Sequence, residues 1–119
     1  QLTKMVNQVC IAGLIQGLSE GIALGKASDL NMGKVLEAIS GGAAQSWQMD
    51  NRFMTMVKGK FNFGFAIDLM IKDLKISLNQ ASEKHLDLKT TKSVLSNYKK
   101  LTGLGSGKSD TSSLIKLLN

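Results

Sequence analysis

The stretch from Leu2 to Ala27 carries only three formal charges, Lys4, Glu20 and Lys26, and spaces Gly13, Gly17, Gly21 and Gly25 at four-residue intervals. A long apolar run without strand alternation predicts a helix, from Leu2 to Ala27 or Ser28, and residues four apart share one of its faces. Each glycine forfeits roughly 1 kcal/mol of helix propensity relative to alanine. Close packing against a bare stripe offsets such costs, so the pattern predicts a surface where another backbone passes, within the domain or between subunits. Lys4, Asn7 and Gln8 precede the stripe at i, i+3 and i+4. They present an ammonium and two carboxamides in one patch, suited to a small oxyanion or carbonyl compound.

The remainder also reads as helices. Asn31 supplies a cap for a second helix over Met32 to Ile39, which Ser40-Gly41-Gly42 ends, and Ser46 caps a third through Trp47, Met49, Phe53 and Met56 to Val57. A loop through Phe61 and Gly64 leads to a fourth helix, Ala66 to His85, with Ile67, Ile71, Leu74, Leu78, Ala81 and His85 along one face. A fifth, Thr91 to Leu101, turns Val94, Leu95, Tyr98 and Leu101 inward. After the glycine-rich loop 103–107, Asp110 caps a short last helix, Thr111 to Leu118. The expected fold is all-α, a single domain over residues 1–119 built from about six helices. The absence of proline among 119 residues agrees with that reading.

Composition excludes several function classes. The net charge of +6 lies in the second half, since residues 1–57 hold four basic and four acidic side chains and residues 58–119 eleven and five. The lysines are dispersed, arginine occurs once at Arg52, and no segment interleaves aromatic with basic residues as a stacking platform requires; no nucleic-acid partner is expected. The first helix meets Glu20 before about 20 apolar residues accumulate, which argues against a membrane span. No basic leader with a cleavage site is visible, and the chain starts at Gln1, the pattern expected of a piece of a longer protein. Cys10 is the sole cysteine, expected in the core and in a reducing, cytoplasmic setting.

Candidates for chemistry are few. His85, the only histidine, falls on the apolar face near a helix end and reads as a core or dipole residue. One histidine and one cysteine 75 positions apart give no metal site. The glycines at 103, 105 and 107 follow no strand and lack the Lys-Ser/Thr ending of a phosphate loop. Lys72 stands four residues after Asp68, which by spacing alone suits a solvated ion pair of about 0.3–0.5 kcal/mol. Lys4, beside two carboxamides at the head of an apolar helix, is the better candidate for a proton donor.

Taken in order, Lys4-x-x-Asn7-Gln8, Ser19-Glu20-Gly21, Gly42-Ala43-Ala44-Gln45-Ser46-Trp47, Lys72-Asp73-Leu74 and Asp110-x-Ser112 resemble the C-terminal domain of the β-hydroxyacid dehydrogenases. This family includes 3-hydroxyisobutyrate dehydrogenase and tartronate semialdehyde reductase, and its C-terminal fold is similar to that of 6-phosphogluconate dehydrogenase. The resemblance implies an NAD(P)-dependent oxidoreductase interconverting a small 3-hydroxyacid and its semialdehyde. It implies Lys4 as catalytic acid/base, Asn7 and Gln8 as substrate-binding residues, and Lys72 as the residue that reaches the nicotinamide cofactor. It further implies an N-terminal Rossmann domain outside this chain, which holds most of the NAD or NADP, and a homo-oligomer, dimer or tetramer, built through this domain. Near Leu86 to Thr90 the chain departs from the family pattern, with Lys89 where a proline is common. The competing expectation is a non-catalytic helical interaction module, active without any other domain.

Overall fold

The structure is a computed structural model that describes residues 1–118. Five α-helices, α1 (Leu2–Ala27), α2 (Met32–Ile39), α3 (Trp47–Lys58), α4 (Ile67–Glu83) and α5 (Lys89–Gly103), precede a 3-10 helix, Thr111–Leu118. No strand is present among the described residues; Ala66 and Asp110 form one isolated antiparallel bridge. α1 packs against each of the other five elements and divides the interior in two. On one side Ala12 and Ile15 meet Ile67, Met70 and Leu74 of α4, Val94, Tyr98 and Leu101 of α5, and Leu114. On the other Ile22 meets Met32 of α2, Met49, Phe53 and Met56 of α3, and Ile115.

The helix starts follow local chemistry where a cap is available. Asn31 accepts from Lys34 N at 3.1 Å and Ser46 from Met49 N at 3.0 Å, each satisfying one orphan donor of the first turn. α4 has no such side chain. Its first amides, Ile67 N and Asp68 N, donate instead to the carbonyls of Ser109 and Gly107, at 2.9 and 3.0 Å. The 107–111 segment therefore acts as a distant cap and fixes the start of α4 against the end of the chain. Gly64 makes this approach possible. Its φ is +74°, and a Cβ there would lie 2.8 Å from Arg52 Nη2 and collide with the Asp110 carboxylate.

Several expectations are corrected. α4 stops at Glu83, because His85 adopts φ 61° and turns the chain left-handed; the histidine is exposed, not part of the apolar face. Cys10 is exposed as well. The last helix has the expected bounds, Thr111–Leu118, and is a 3-10 helix, an unusually long run for that geometry; it buries Thr111, Ser112, Ser113, Leu114 and Ile115 and packs against α1 and α5. α5 begins two residues earlier than expected, at Lys89. The glycine stripe is not packed within the domain at three of its four positions: a Cβ at Gly13, Gly17 or Gly21 would meet nothing within 4 Å, and only Gly25 lies against another element, the Met32 side chain at 2.8 Å.

The length argument against a membrane span also fails. α1 is 26 residues long with an 18-residue window of mean hydropathy 1.2, sufficient by length and composition alone. Within the fold it is the central helix. Its inner side, Ala12, Ile15, Ser19, Ile22 and Gly25, is buried, whereas Leu2, Val6, Leu14 and Leu24 remain exposed.

Candidate active site

Both lysines singled out in the sequence reach the same end of the molecule, where the first turns of α1 lie beside α4. Lys4 Nζ is 3.5 Å from Asp73 Oδ1. Asp73 Oδ2 accepts from Gln8 Nε2 at 2.9 Å, and Gln8 Oε1 accepts from Asn7 Nδ2 at 2.9 Å. A chain of contacts thus runs Asn7 to Gln8 to Asp73 to Lys4, crossing from one helix to the other and back. The Lys4 side chain is 63% exposed and that of Asp73 14%, so the ion pair itself contributes under about 1 kcal/mol. The contact places the ammonium of α1 beside a carboxylate of α4. Gln8 is buried and both ends of its carboxamide are engaged, whereas Asn7 is exposed and its carbonyl oxygen has no partner among the described residues.

Two recesses meet at this lysine. The smaller, of about 240 Å³, is lined by Lys4, Gln8, Phe65, Leu69, Lys72, Asp73 and Ile76, among others. The larger, of about 750 Å³, runs from Lys4, Asn7 and Gln8 to Trp47, Gln48, Arg52 and Thr111. Lys4, Gln8 and Phe65 belong to both. Lys72 is exposed and makes no ion pair among the described residues. The spacing-based pairing with Asp68 does not form, since the Asp68 carboxylate packs over Gly107 at the start of α4.

At the far wall of the larger recess stands a second polar cluster. Asp110, 1% exposed, accepts from Arg52 Nε at 3.0 Å, Phe65 N at 2.9 Å, Ser112 N at 3.1 Å and the Ser112 hydroxyl. The Arg52 guanidinium carbon lies over two aromatic rings, 5.1 Å from the Trp47 centroid and 5.0 Å from that of Phe63. Asp110 is a cap, as expected, but also the acceptor that gathers α3, the 61–66 loop and the 3-10 helix. Behind it, burial pushes the Tyr98 phenol far above its ordinary range; the Asp110 carboxylate adds to the shift, and the hydrogen bond to Thr111 O opposes it.

Spacing brought out Lys4, Asn7 and Gln8 but not Asp73, Phe65 or Arg52. For Asp73 the only local signal was its place beside Lys72; for Arg52 it was being the sole arginine. No group of three His, Cys, Asp or Glu side chains able to hold a metal ion occurs among the described residues.

Comparison with known proteins bears on the family and the fold. Residues 1–118 match the family model described as the NAD-binding domain of NADP-dependent 3-hydroxyisobutyrate dehydrogenase. An uncharacterized oxidoreductase of Shewanella frigidimarina is 50% identical over 118 residues, covering 99% of this chain and 40% of the relative. A probable mitochondrial 3-hydroxyisobutyrate dehydrogenase-like protein of Arabidopsis thaliana is 35% identical, over 99% of this chain and 35% of its own. The crystal structure of 3-hydroxyisobutyrate dehydrogenase from Salmonella typhimurium superimposes with a TM-score of 0.86 at 26% identity, covering 98% of this chain and 41% of the other. The chain thus spans about two fifths of the length of the relatives it matches. With an all-helical fold shared along its described length and a family model matched from end to end, the chain belongs to the 3-hydroxyisobutyrate dehydrogenase family, in its NAD(P)-binding helical domain.

Proposed function

We propose that this chain is the C-terminal helical domain of an NAD(P)-dependent dehydrogenase that interconverts a small 3-hydroxyacid and its semialdehyde, that it supplies the acid/base lysine, and that it assembles into a dimer or tetramer. The observation that carries the proposal is the position of Lys4 on the ridge between two recesses, one containing Lys72 and the other Asn7 and Arg52. An oxidoreduction of this class needs a proton-transferring group between a flat hydride donor and a small oxygenated substrate. The smaller recess offers Phe65, Leu69 and Ile76 as apolar walls with the Lys72 ammonium at the rim, which fits one edge of a nicotinamide nucleotide. The nicotinamide, when bound, supplies or accepts the hydride. A dinucleotide-binding sheet is not among the described residues, so most of that cofactor's contacts fall to a second, Rossmann-type domain.

Reduction leaves charge on the carbonyl oxygen as hydride arrives at carbon. Lys4 polarises that oxygen and gives it a proton; in oxidation the neutral amine takes the proton back. Asp73 holds the lysine in line, Gln8 holds Asp73, and Asn7 offers its carbonyl and its remaining N–H to the substrate. Uniform binding of substrate would not raise the rate. A lysine already aimed at the oxygen stabilises the transition state specifically.

The test uses the full-length dehydrogenase. Lys4→Ala should lower kcat about 10²–10⁴-fold with cofactor affinity nearly unchanged. Lys72→Ala should weaken cofactor binding by about 1.5–3 kcal/mol, the worth of a hydrogen bond to a charged group. The 119-residue chain alone should fold, as read by helical circular dichroism, and turn over no 3-hydroxyacid with NAD or NADP. Wild-type kinetics in both variants, or turnover by this chain alone, would overturn the assignment.

A further inference from the structure

The larger recess carries a cation at each end. Its cations are Lys4 and Arg52, its carboxamides Asn7, Gln8 and Gln48, and its only carboxylate, Asp110, is already engaged by four donors. Asp110 keeps its negative charge but is 1% exposed, so the more accessible polar groups of the cleft are Lys4, Asn7 and Arg52, set among apolar residues such as Leu14 and Phe65. Arg52 is also held unusually firmly for a partly exposed side chain. Its guanidinium carbon lies over the Trp47 and Phe63 rings, 5.1 and 5.0 Å from their centroids, Nε donates to Asp110 at 3.0 Å, and Nη1 donates to the Asn51 carbonyl at 3.2 Å. The other N–H groups have no partner among the described residues. Trp47 is 59% and Phe63 40% exposed, so the rings gain little by burial there, whereas their contact with the guanidinium restricts where Arg52 can move. A guanidinium fixed in this way matches a carboxylate and loses little side-chain entropy on binding it.

Resting on the proposed dehydrogenase function, we infer that Arg52 is a specificity-determining residue that takes a carboxylate of the substrate remote from the reacting carbon, so that preferred substrates carry an anionic end group where a simpler 3-hydroxyacid carries an alkyl group. Lys4 engages the reacting oxygen at one end of the cleft and Arg52 the anion at the other. The recess, at about 750 Å³, has room for both.

Trp47 is the only tryptophan and is stacked on Arg52, so its fluorescence reports binding in the chain itself. Malonate should change that signal saturably, whereas malonamide, or chloride at matched ionic strength, should not. Arg52→Lys keeps a cation beside Asp110 but loses the fork, and should weaken malonate binding roughly 10- to 100-fold. The double variant Arg52→Gln/Asp110→Asn removes both charges without stranding either, and should abolish the response. In the full-length enzyme Arg52→Lys should lower kcat/KM for a carboxylate-tailed hydroxyacid relative to its methyl analogue by the same factor, through KM. Equal responses to malonate and malonamide, or an unchanged substrate ratio, would overturn the inference. A malonate response that depends on Arg52, in a protein that oxidises no hydroxyacid, would leave the anion site standing and remove the dehydrogenase reading instead.

Discussion

Replacing Asp110 with alanine should be among the most damaging single changes to the stability of this domain. The carboxylate is 1% exposed and carries four hydrogen bonds: one from Arg52 Nε at 3.0 Å, one from Phe65 N at 2.9 Å, and two from Ser112. Its removal strands a guanidinium whose side chain is only 18% exposed. Breaking a buried ion pair from one side costs about 3–5 kcal/mol, mostly through the uncompensated charge left behind. Against a total stability of about 5–15 kcal/mol, a loss near 4 would lower Tm by roughly 12–20 °C. Ser112→Ala is the internal control: it deletes one of the four bonds and should cost about 1 kcal/mol. Urea denaturation followed by far-ultraviolet circular dichroism gives both values, provided the slope with denaturant is unchanged. Adding Arg52→Leu to the Asp110→Ala variant should recover part of the loss, because it removes the stranded cation. If Asp110→Ala cost no more than Ser112→Ala, or if the second substitution recovered nothing, the carboxylate would not be the element that gathers these segments.

Two further outcomes concern the stripe and the buried phenol. Gly17→Ala in this chain should raise stability by up to about 1 kcal/mol, since the new methyl meets nothing within 4 Å and the helix gains propensity; a lowered melting temperature would mean that the stripe is covered. Tyr98 is the only tyrosine, and burial raises its pKa above the ordinary value of 10.0. Above about pH 10 the unfolded chain therefore releases this proton while the folded chain keeps it; its contribution to stability is complete below that pH and is lost as pH climbs beyond it. Phenolate absorbance should appear only together with loss of helical signal, and Tyr98→Phe should flatten the alkaline decline. A phenolate signal rising near pH 10 with the helices intact would contradict the burial argument.

Helix identity was legible because it rests on local chemistry. Asn31 and Ser46 fix the starts of α2 and α3 through bonds spanning three residues, and the apolar spacing of Val94, Leu95, Tyr98 and Leu101 places α5 correctly against the core. The start of α4 falls within one residue of the expected place although its cap is distant, whereas the end of α4 differs from the expectation although the hydrogen bonds there are local. α4 is capped by carbonyls about forty residues further along the chain, so no nearby side chain marks its start. His85 continues the apolar spacing of α4, yet the chain leaves the helix one residue before it, with Lys84 as the cap and His85 at φ 61°. The glycine spacing predicts a packing surface, but spacing alone does not say what covers it, and within the domain only Gly25 lies against another element.

The candidate site divides along the same line. Lys4, Asn7 and Gln8 sit within one helical turn, so their convergence follows from 3.6-residue periodicity and needs no tertiary information. Asp73 joins them from 65 residues away, and that contact exists only because α4 packs beside α1. Adjacent residues on a helix point about 100° apart; hence the Lys72-Asp73 pair divides its roles between two directions, Asp73 toward Gln8 and Lys4, Lys72 toward the open rim of the smaller recess. Sliding α4 by one residue against α1 would exchange a carboxylate for an ammonium beside Lys4 and remove the acceptor that Gln8 needs. The packing of Ile67, Met70 and Leu74 against Ala12 and Ile15 in the core therefore does more than stabilise the bundle: it sets the register that puts a carboxylate beside the acid/base candidate.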